Sequence, residues 1–424
     1  MYKYNNKQKK PPLQQHLNLP NIPHKPVPLQ NTHKRSDSDT SSNVSNTSDC
    51  NRFYKVEEKI GSGSFGNVYK VRDMRYDLLN NESSINSDIS THLELSNLDP
   101  LTNPKYLVRK DIKYNHMSLK ERQQLIQECK ILSSLKHDNI VNFFKIDFDQ
   151  KFVYIFMEYC DGGDLSQLIQ HYKNFNKTQK SKANYKFIPE ELIWKVLVQI
   201  CLALWRCHYG EDCKNPKTIF ENLEKPNNFL KTMNGENEHI IIHRDIKPGN
   251  IFLKKQNNTN EFDIKLGDFG LAKTLKSKNH FATTYVGTPY YMSPELLKDK
   301  PYSPLSDIWS LGCVIYEMCN LFPPFHNAKN FIDLENRIIN GSYNKMDKSS
   351  LYSKNLRNII ENCIEVDLNK RFNCCDILND IQSKIMFKSL FLQKWQNSLE
   401  VYESELINIE KKLEKKAYKL DKQY

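Results

Sequence analysis

The chain has 424 residues, with 61 Lys+Arg against 50 Asp+Glu for a formal charge of +11, 39% hydrophobic residues and only 13 glycines. So little glycine excludes collagen-like and glycine-linker chains, and the length predicts one large domain or two to three ordinary ones, with some polar segments outside the core. No apolar run approaches the ~20 residues that cross a bilayer, the polar, basic start lacks the apolar segment of a secretory signal, and eleven scattered cysteines without CxxC or zinc spacing fit a reducing compartment.

Residues 1–50 are rich in Asn, Ser, Gln, Pro and Lys, contain no glycine and show no apolar periodicity. That composition predicts a disordered tail. From Phe53 to Arg72, apolar and polar residues alternate on either side of a glycine turn, the pattern of two antiparallel strands. Asp77 to about Asn103 is again polar and reads as a surface insertion. Tyr106 to Ile112 reads as a strand. Ser118 to Leu135 reads as a helix because Leu125, Ile126, Ile131, Leu132 and Leu135 recur near helical spacing. Two further strands follow, near Asn142 to Phe148 and Phe152 to Glu158.

Beyond Gly163 the pattern turns helical. Pro189 to His208 is an apolar helix opened by proline. Tyr209 to Glu238 is a second polar insertion. Short strands are expected near Ile251 to Leu253 and Ile264 to Leu266, and helices from Glu295 to about Lys384. In the last forty residues, Leu392, Trp395, Leu399, Tyr402, Leu406, Ile409, Leu413 and Leu420 follow steps of three and four, broken only at Lys416. This seam predicts a coiled coil over 386–424 and a homodimer; the competing expectation is a single amphipathic helix folded back on the domain.

Five short motifs carry chemistry. Gly61-Ser62-Gly63-Ser64-Phe65-Gly66-Asn67-Val68 joins two strands rather than a strand to a helix, which disfavours a dinucleotide fingerprint and favours a hairpin over a nucleotide. Glycines there let backbone N–H groups approach phosphates. Lys110, on the next strand, can reach α- and β-phosphates, and Glu128, midway along the following helix, is the expected anion to hold it. His243-Arg244-Asp245-Ile246-Lys247-Pro248-Gly249-Asn250 supplies an acid–base carboxylate, Asp245. It also supplies a cation for the moving phosphoryl group, Lys247, and an amide for Mg²⁺, Asn250. Asp268-Phe269-Gly270 adds a metal-binding carboxylate, and Ser293-Pro294-Glu295 closes the segment that begins there.

In this order and spacing, the motifs resemble those of the eukaryotic protein kinases, across about Phe53 to Lys384. The implied fold is α+β with two lobes, a β-rich N-lobe and an α-helical C-lobe, over 51–385, followed by the coiled-coil helix. Within that family the chain is most similar to the NIMA-related serine/threonine kinases, the fungal ones especially. The similarity rests on Met157 to Leu165, Lys265 to Lys273, Phe281 to Glu295, Cys207 to Gly210, Asp307 to Gly312, and Arg371 as an ion partner for Glu295.

The resemblance implies ATP and Mg²⁺ as cofactors and protein substrates. It places Ile60 and the loop Gly61, Ser62, Gly63, Ser64, Phe65 and Gly66 over the nucleotide. The adenine is expected between Val68 and Val108 above and Phe252 below, with Met157 behind and backbone groups of Glu158 and Cys160 at its edge. Arg244 implies control by phosphate on Thr284, Thr288 implies Ser/Thr acceptors, and the family implies a bulky apolar residue three positions before the acceptor. The expected role is mitotic and cell-cycle regulation and chromosome segregation, in nucleus and cytoplasm with the spindle pole as a further site. No membrane and no direct nucleic-acid partner are expected. Ile246 and Gly249 depart from the commoner residues with side chains outside the reaction, and Val108, where Ala is usual, is expected to narrow the adenine pocket slightly. A pseudokinase scaffold is the competing class, and the presence of Lys110, Glu128, Asp245, Asn250 and Asp268 together weighs against it.

Overall fold

Gly66 leaves no room for a side chain: a Cβ there would lie 1.6 Å from the Asp111 carbonyl oxygen. The hairpin that it closes pairs β1 (Tyr54–Gly63) with β2 (Gly66–Asp73). A computed structural model describes residues 53–63, 66–75, 105–114, 117–149, 151–213, 240–256, 261–269, 289–298, 303–347 and 351–421, without the side chains of Gln124, Gln127, Glu128, Lys419 and Asp421. The expected tail and nearly all of both insertions lie outside the described residues. The second insertion starts later than expected, because Tyr209 is the buried last residue of a helix.

β3 (Tyr106–Lys113), β4 (Phe143–Phe148) and β5 (Phe152–Glu158) complete an antiparallel sheet in the order β1-β2-β3-β5-β4. Its register aligns Val68 with Lys110, Lys110 with Ile155, and Val108 with Met157. Strand alternation therefore puts Val108 and Lys110 on one face. α1 (Leu119–Ser134) starts at a capping box, in which Ser118 Oγ accepts the Glu121 N–H at 3.3 Å and Glu121 Oε2 accepts the Ser118 N–H at 2.7 Å. Leu125 and Cys129, four apart, bury against Ile112, Val153 and Ile155, with Leu132 beside them. Two of the five positions expected to face the core do not: Ile126 and Ile131 are exposed, since they fall off the 125/129/132 stripe.

The opposite face of the sheet buries Val71, Leu107 and Phe156 under aromatic rings and cations. Arg109 lies 5.5 Å from the Tyr69 ring centroid and 5.0 Å from that of Tyr154, and Lys145 lies 4.5 Å from Tyr54 and 4.8 Å from Phe156. Sequence order hides this basic–aromatic cluster. Arg109 is buried and paired with Asp111 at 2.8 Å, so it packs the lobe rather than facing a ligand.

The helical part follows with α2 (Leu165–Thr178) and α3 (Glu190–Tyr209), the latter buried along nearly its whole length. The proline expected to open α3 stands at its N-cap, and Gly210 ends it with φ 75°, a left-handed value glycine adopts without Cβ strain. β6 (Ile251–Lys255) and β7 (Phe262–Leu266) form an antiparallel pair. β7 is stitched to the turn after α1: Val141 N–H donates to Leu266 O at 2.9 Å, Leu266 N–H to Asn139 O at 2.8 Å, and Asn139 Nδ2 to Ile264 O at 3.0 Å.

α4 (Pro294–Leu297), α5 (Pro304–Asn320), α6 (Phe331–Ile339), α7 (Lys354–Cys363) and α8 (Cys374–Leu378) surround a single large core that includes α3. The expected ion pair is present and buried: Arg371 grips Glu295 at 2.8 and 3.1 Å. Burial opposes the Glu295 carboxylate, but the Arg371 hydrogen bonds and charge, joined by Ser306, outweigh it and hold the group below its usual 4.5.

α9 (Ile381–Asp421) begins ahead of the expected boundary at 386. Met386, Phe387 and Leu390 pack on the helical core, Gln393 donates to Glu261 at 2.9 Å, and Lys394 pairs with Asp138. From Lys394 onward every residue whose side chain is described is exposed, the seam residues Leu399, Leu406 and Leu413 among them. Thus the helix is rooted on the domain, and its distal part is exposed to solvent along the described residues. No helix among the described residues is long and apolar enough to cross a membrane.

Candidate active site

Asp307, in the first turn of α5, is fully buried and organises the turn before Asp245. Its Oδ1 accepts the Arg244 N–H at 2.9 Å, and its Oδ2 accepts the His243 N–H at 2.9 Å and faces His208 Nε2 at 2.9 Å. Burial opposes this carboxylate, yet the His208 hydrogen bond and charge, joined by the His243 backbone N–H, hold it ionised below 3.8. Arg244 sits at φ 68°, strained for a residue with a side chain, so the carboxylate clamps a turn that would otherwise relax.

Burial lowers the His243 pKa and keeps the ring neutral. Its Nε2 faces the Gly267 carbonyl at 3.0 Å, and its Nδ1 accepts the Asp245 N–H at 3.3 Å, which assigns the ring proton to Nε2. Phe269 packs on the same ring at 4.6 Å between centroids. His243 thereby ties Asp245 to the residue preceding Asp268. The Gly267 N–H adds a second tie, donating to Asn250 O at 3.0 Å.

On this frame the polar groups converge. Lys247 Nζ donates to Asp245 Oδ2 at 2.8 Å. Asn250 Nδ2 donates to the Asp245 carbonyl at 2.7 Å and to its Oδ2 at 3.0 Å. The Asn250 amide oxygen is thereby turned away from Asp245. Asp268, at φ 54°, pairs with Lys110 across from β3. The expected Lys110 partner, Glu128, lies on α1 with its side chain outside the described residues. An amide oxygen and a carboxylate on two mutually bonded loops are hard oxygen donors suited to Mg²⁺, which completes its shell with phosphate and water. The residues present fit that ion.

The expected nucleotide pocket is placed as follows. Ile60 and Gly61, Ser62 and Gly63 end β1; Gly66 and Val68 begin β2; Val108 is on β3. Met157 and Glu158 end β5, with Cys160 just beyond, and Phe252 is on β6. Ser64 and Phe65 lie outside the described residues. Gly267 shapes the floor, because a Cβ there would fall 2.8 Å from both Phe252 Cε2 and Val141 Cγ2. The hinge is anchored from its far side: Lys265 Nζ donates to Glu158 Oε2 at 2.8 Å, and Lys254 Nζ to Tyr159 O at 2.9 Å. Backbone groups of Cys160 make no hydrogen bond among the described residues, which leaves them open to a planar, edge-on ligand. Burial first, then the Glu158 charge, pushes the Cys160 thiol up to about 12, so it is no nucleophile.

Sequence reading located the reacting groups but not the roles of their supports: Lys254 stood out by no motif, while His208, Lys265 and Asp307 fell within stretches that carry the family resemblance without a role of their own. Thr284, Thr288 and Gly270 lie outside the described residues.

The family model described as protein kinase domain matches residues 101–236 and 227–381. The chain is 36% identical over 373 residues to the G2-specific protein kinase nimA of Emericella nidulans, covering 87% of this chain and 46% of that protein. It is 35% identical over 353 residues to the G2-specific protein kinase fin1 of Schizosaccharomyces pombe, covering 80% and 41%. It is also 35% identical over 309 residues to the serine/threonine-protein kinase Nek2 of Homo sapiens, covering 72% and 54%. The chain thus spans about half the length, or less, of these relatives.

Proposed function

Because the chain belongs to the protein kinase family, in its NIMA-related branch, we propose that it transfers the γ-phosphate of ATP to Ser and Thr hydroxyls of proteins during G2 and mitosis. The observation that carries this reading is the Asp245–Lys247–Asn250 cluster, facing a loop whose Asp268 is paired with Lys110.

Asp245 receives the proton of the acceptor hydroxyl as that oxygen bonds to the γ-phosphorus and the bond to the β,γ-bridging oxygen breaks. Lys247 keeps a positive charge beside the carboxylate and within reach of the transferred group. Lys110 reaches the α- and β-phosphates, exchanging Asp268 for them or sharing it, with Glu128 as its other partner. Asp268 and Asn250 would hold Mg²⁺, which would supply positive charge against the phosphates. Positioning and charge supply most of the rate in such a loose transfer. Val68, Val108, Met157 and Phe252 enclose the adenine, and the Cys160 backbone binds its edge.

Arg244 makes activity depend on phosphate at Thr284, since guanidinium and phosphate pair strongly. The exposed seam of α9 forms a homodimer, raising the effective concentration of one site at the other's Thr284. Thr288 favours Ser/Thr acceptors. The cellular role extends to chromosome segregation, in nucleus and cytoplasm and at the spindle pole. Autophosphorylation with Mg-ATP, read by mass spectrometry over residues 268–295, tests the regulatory part. Phosphate on Thr284, lower activity in Thr284→Ala and partial recovery in Thr284→Glu support it; equal activity of all three forms contradicts it.

A further inference from the structure

His208 is buried between two groups from different helices. Its Nε2 lies 2.9 Å from Asp307 Oδ2, and its Nδ1 lies 3.8 Å from the Sγ of Cys374. All three side chains are essentially inaccessible to solvent. An imidazole with Nε2–H given to a carboxylate must accept at Nδ1 or, if protonated, donate there. Among the described residues the Cys374 thiol is the one polar group at Nδ1. Burial opposes a charged His208, but the bonds to Asp307 and then Cys374 outweigh it and raise the ring to about 9. Burial likewise opposes a Cys374 thiolate, and the contacts with Cys201 and His208 outweigh it in the opposite sense. One proton therefore lies on the Sγ–Nδ1 line whichever atom carries it, and the contact orients the ring in both forms.

The sulfur is itself held firmly. Cys374 is the first residue of α8, whose N-cap Asn373 accepts the N–H groups of Cys375 at 2.8 Å and Asp376 at 3.2 Å. Three residues earlier stands Arg371, gripped by Glu295. The Cys374 carbonyl accepts the Cys201 thiol at 3.6 Å. A continuous set of contacts thus runs from α8 through Cys374, His208 and Asp307 to the Arg244 and His243 amides, and so to Asp245.

We propose that Cys374 is a positioning residue for phosphoryl transfer: its thiol fixes the His208 ring so that Asp307 keeps its third donor and holds the Arg244 turn that aims Asp245. The proposal rests on the kinase reading for its effect on rate, but not for the contact itself.

The test uses the full chain labelled with ¹⁵N-histidine, as wild type, Cys374→Ala and Cys374→Ser, with His208→Gln to assign the ring signals. Cys374→Ala is expected to move the His208 Nδ1 signal and to lower kcat about five- to tenfold at unchanged KM for ATP, because the buried Nδ1 loses its polar partner. Cys374→Ser, which restores a group that can donate or accept, is expected to recover most of kcat. If Cys374→Ala fails to fold, Cys374→Ser decides alone: near-wild-type kcat supports the proposal and a tenfold loss overturns it. An alanine variant with unchanged kcat, or with lower kcat but an unmoved Nδ1 signal, also overturns it. An inactive wild-type chain in which the signal still moves would remove the kinase reading and leave the contact standing.

Discussion

The Asp307 carboxylate on α5 accepts the backbone N–H of Arg244 at 2.9 Å, from 63 residues away, at the one turn that aims Asp245. Arg244 holds a left-handed φ of 68° there. A fully buried carboxylate with three donors cannot be replaced by a neutral amide without turning an N–H₂ toward one of them. Asp307→Asn should therefore cost about 2–4 kcal/mol of stability and lower kcat at least tenfold. Denaturant unfolding and steady-state kinetics on the same preparation check this.

Lys110 behaves differently, because its only described ion partner, Asp268, is partly open to solvent. A partly exposed pair contributes about 0–1 kcal/mol. Lys110→Met should leave the unfolding midpoint within a few degrees while transfer to a protein substrate disappears. Full transfer by this variant would show that Lys110 does not hold the phosphates.

Gly267→Ala places a Cβ 2.8 Å from both Phe252 and Val141, closer than carbon atoms approach without movement. Phe252 must tilt into the adenine space. The expected result is an ATP KM raised about tenfold or more, with a smaller change in kcat, measured by varying ATP at saturating protein substrate.

Glu295 titrates below its usual 4.5 in the folded chain, with Arg371 as the main stabilising cause. In the unfolded chain the carboxylate binds protons more readily, so stability from this pair is present above about pH 4.5 and is lost as pH falls through the folded-state value. Glu295→Gln should make the fall in unfolding free energy below pH ~4.5 shallower, and should cost about 3–5 kcal/mol at neutral pH by leaving Arg371 buried without its anion.

The distal part of α9 should govern association. Removing residues 392–424 deletes the exposed seam while sparing Met386, Phe387 and Leu390, which pack on the domain. Sedimentation should give a dimer for the full chain and a monomer for the shortened one. A monomer in both cases contradicts the dimer.

What could be read along the chain was local. Asp245, Lys247 and Asn250 fall within six residues, and Asp268 and Phe269 are adjacent, so short motifs capture them. The strands of the first sheet were legible because alternation and glycine turns act between neighbours. Contacts across large separations were legible only where the family resemblance implied them, as for Glu295 and Arg371; the others were not: His208 meets Asp307 99 residues on and Cys374 166 residues on, and Lys265 meets Glu158 107 residues back. The eleven cysteines looked scattered for the same reason, although Cys201 and Cys374 touch. On α1, spacing alone admitted Ile126 and Ile131 to the core, and only the direction of approach of the sheet chose Leu125 and Cys129 instead. The start of α9 was placed too late because its first turns pack on the domain and only its distal turns show the seam.

The most direct measurement is phosphate transfer from γ-labelled ATP with Mg²⁺ to a protein substrate, followed by phosphoamino-acid analysis, for the full chain and for Asp245→Asn. The account predicts phosphoserine and phosphothreonine from the unaltered chain and a loss of about two orders of magnitude or more in the variant at retained fold. Equal transfer by both chains, or none by the unaltered one after phosphorylation of Thr284, would contradict it.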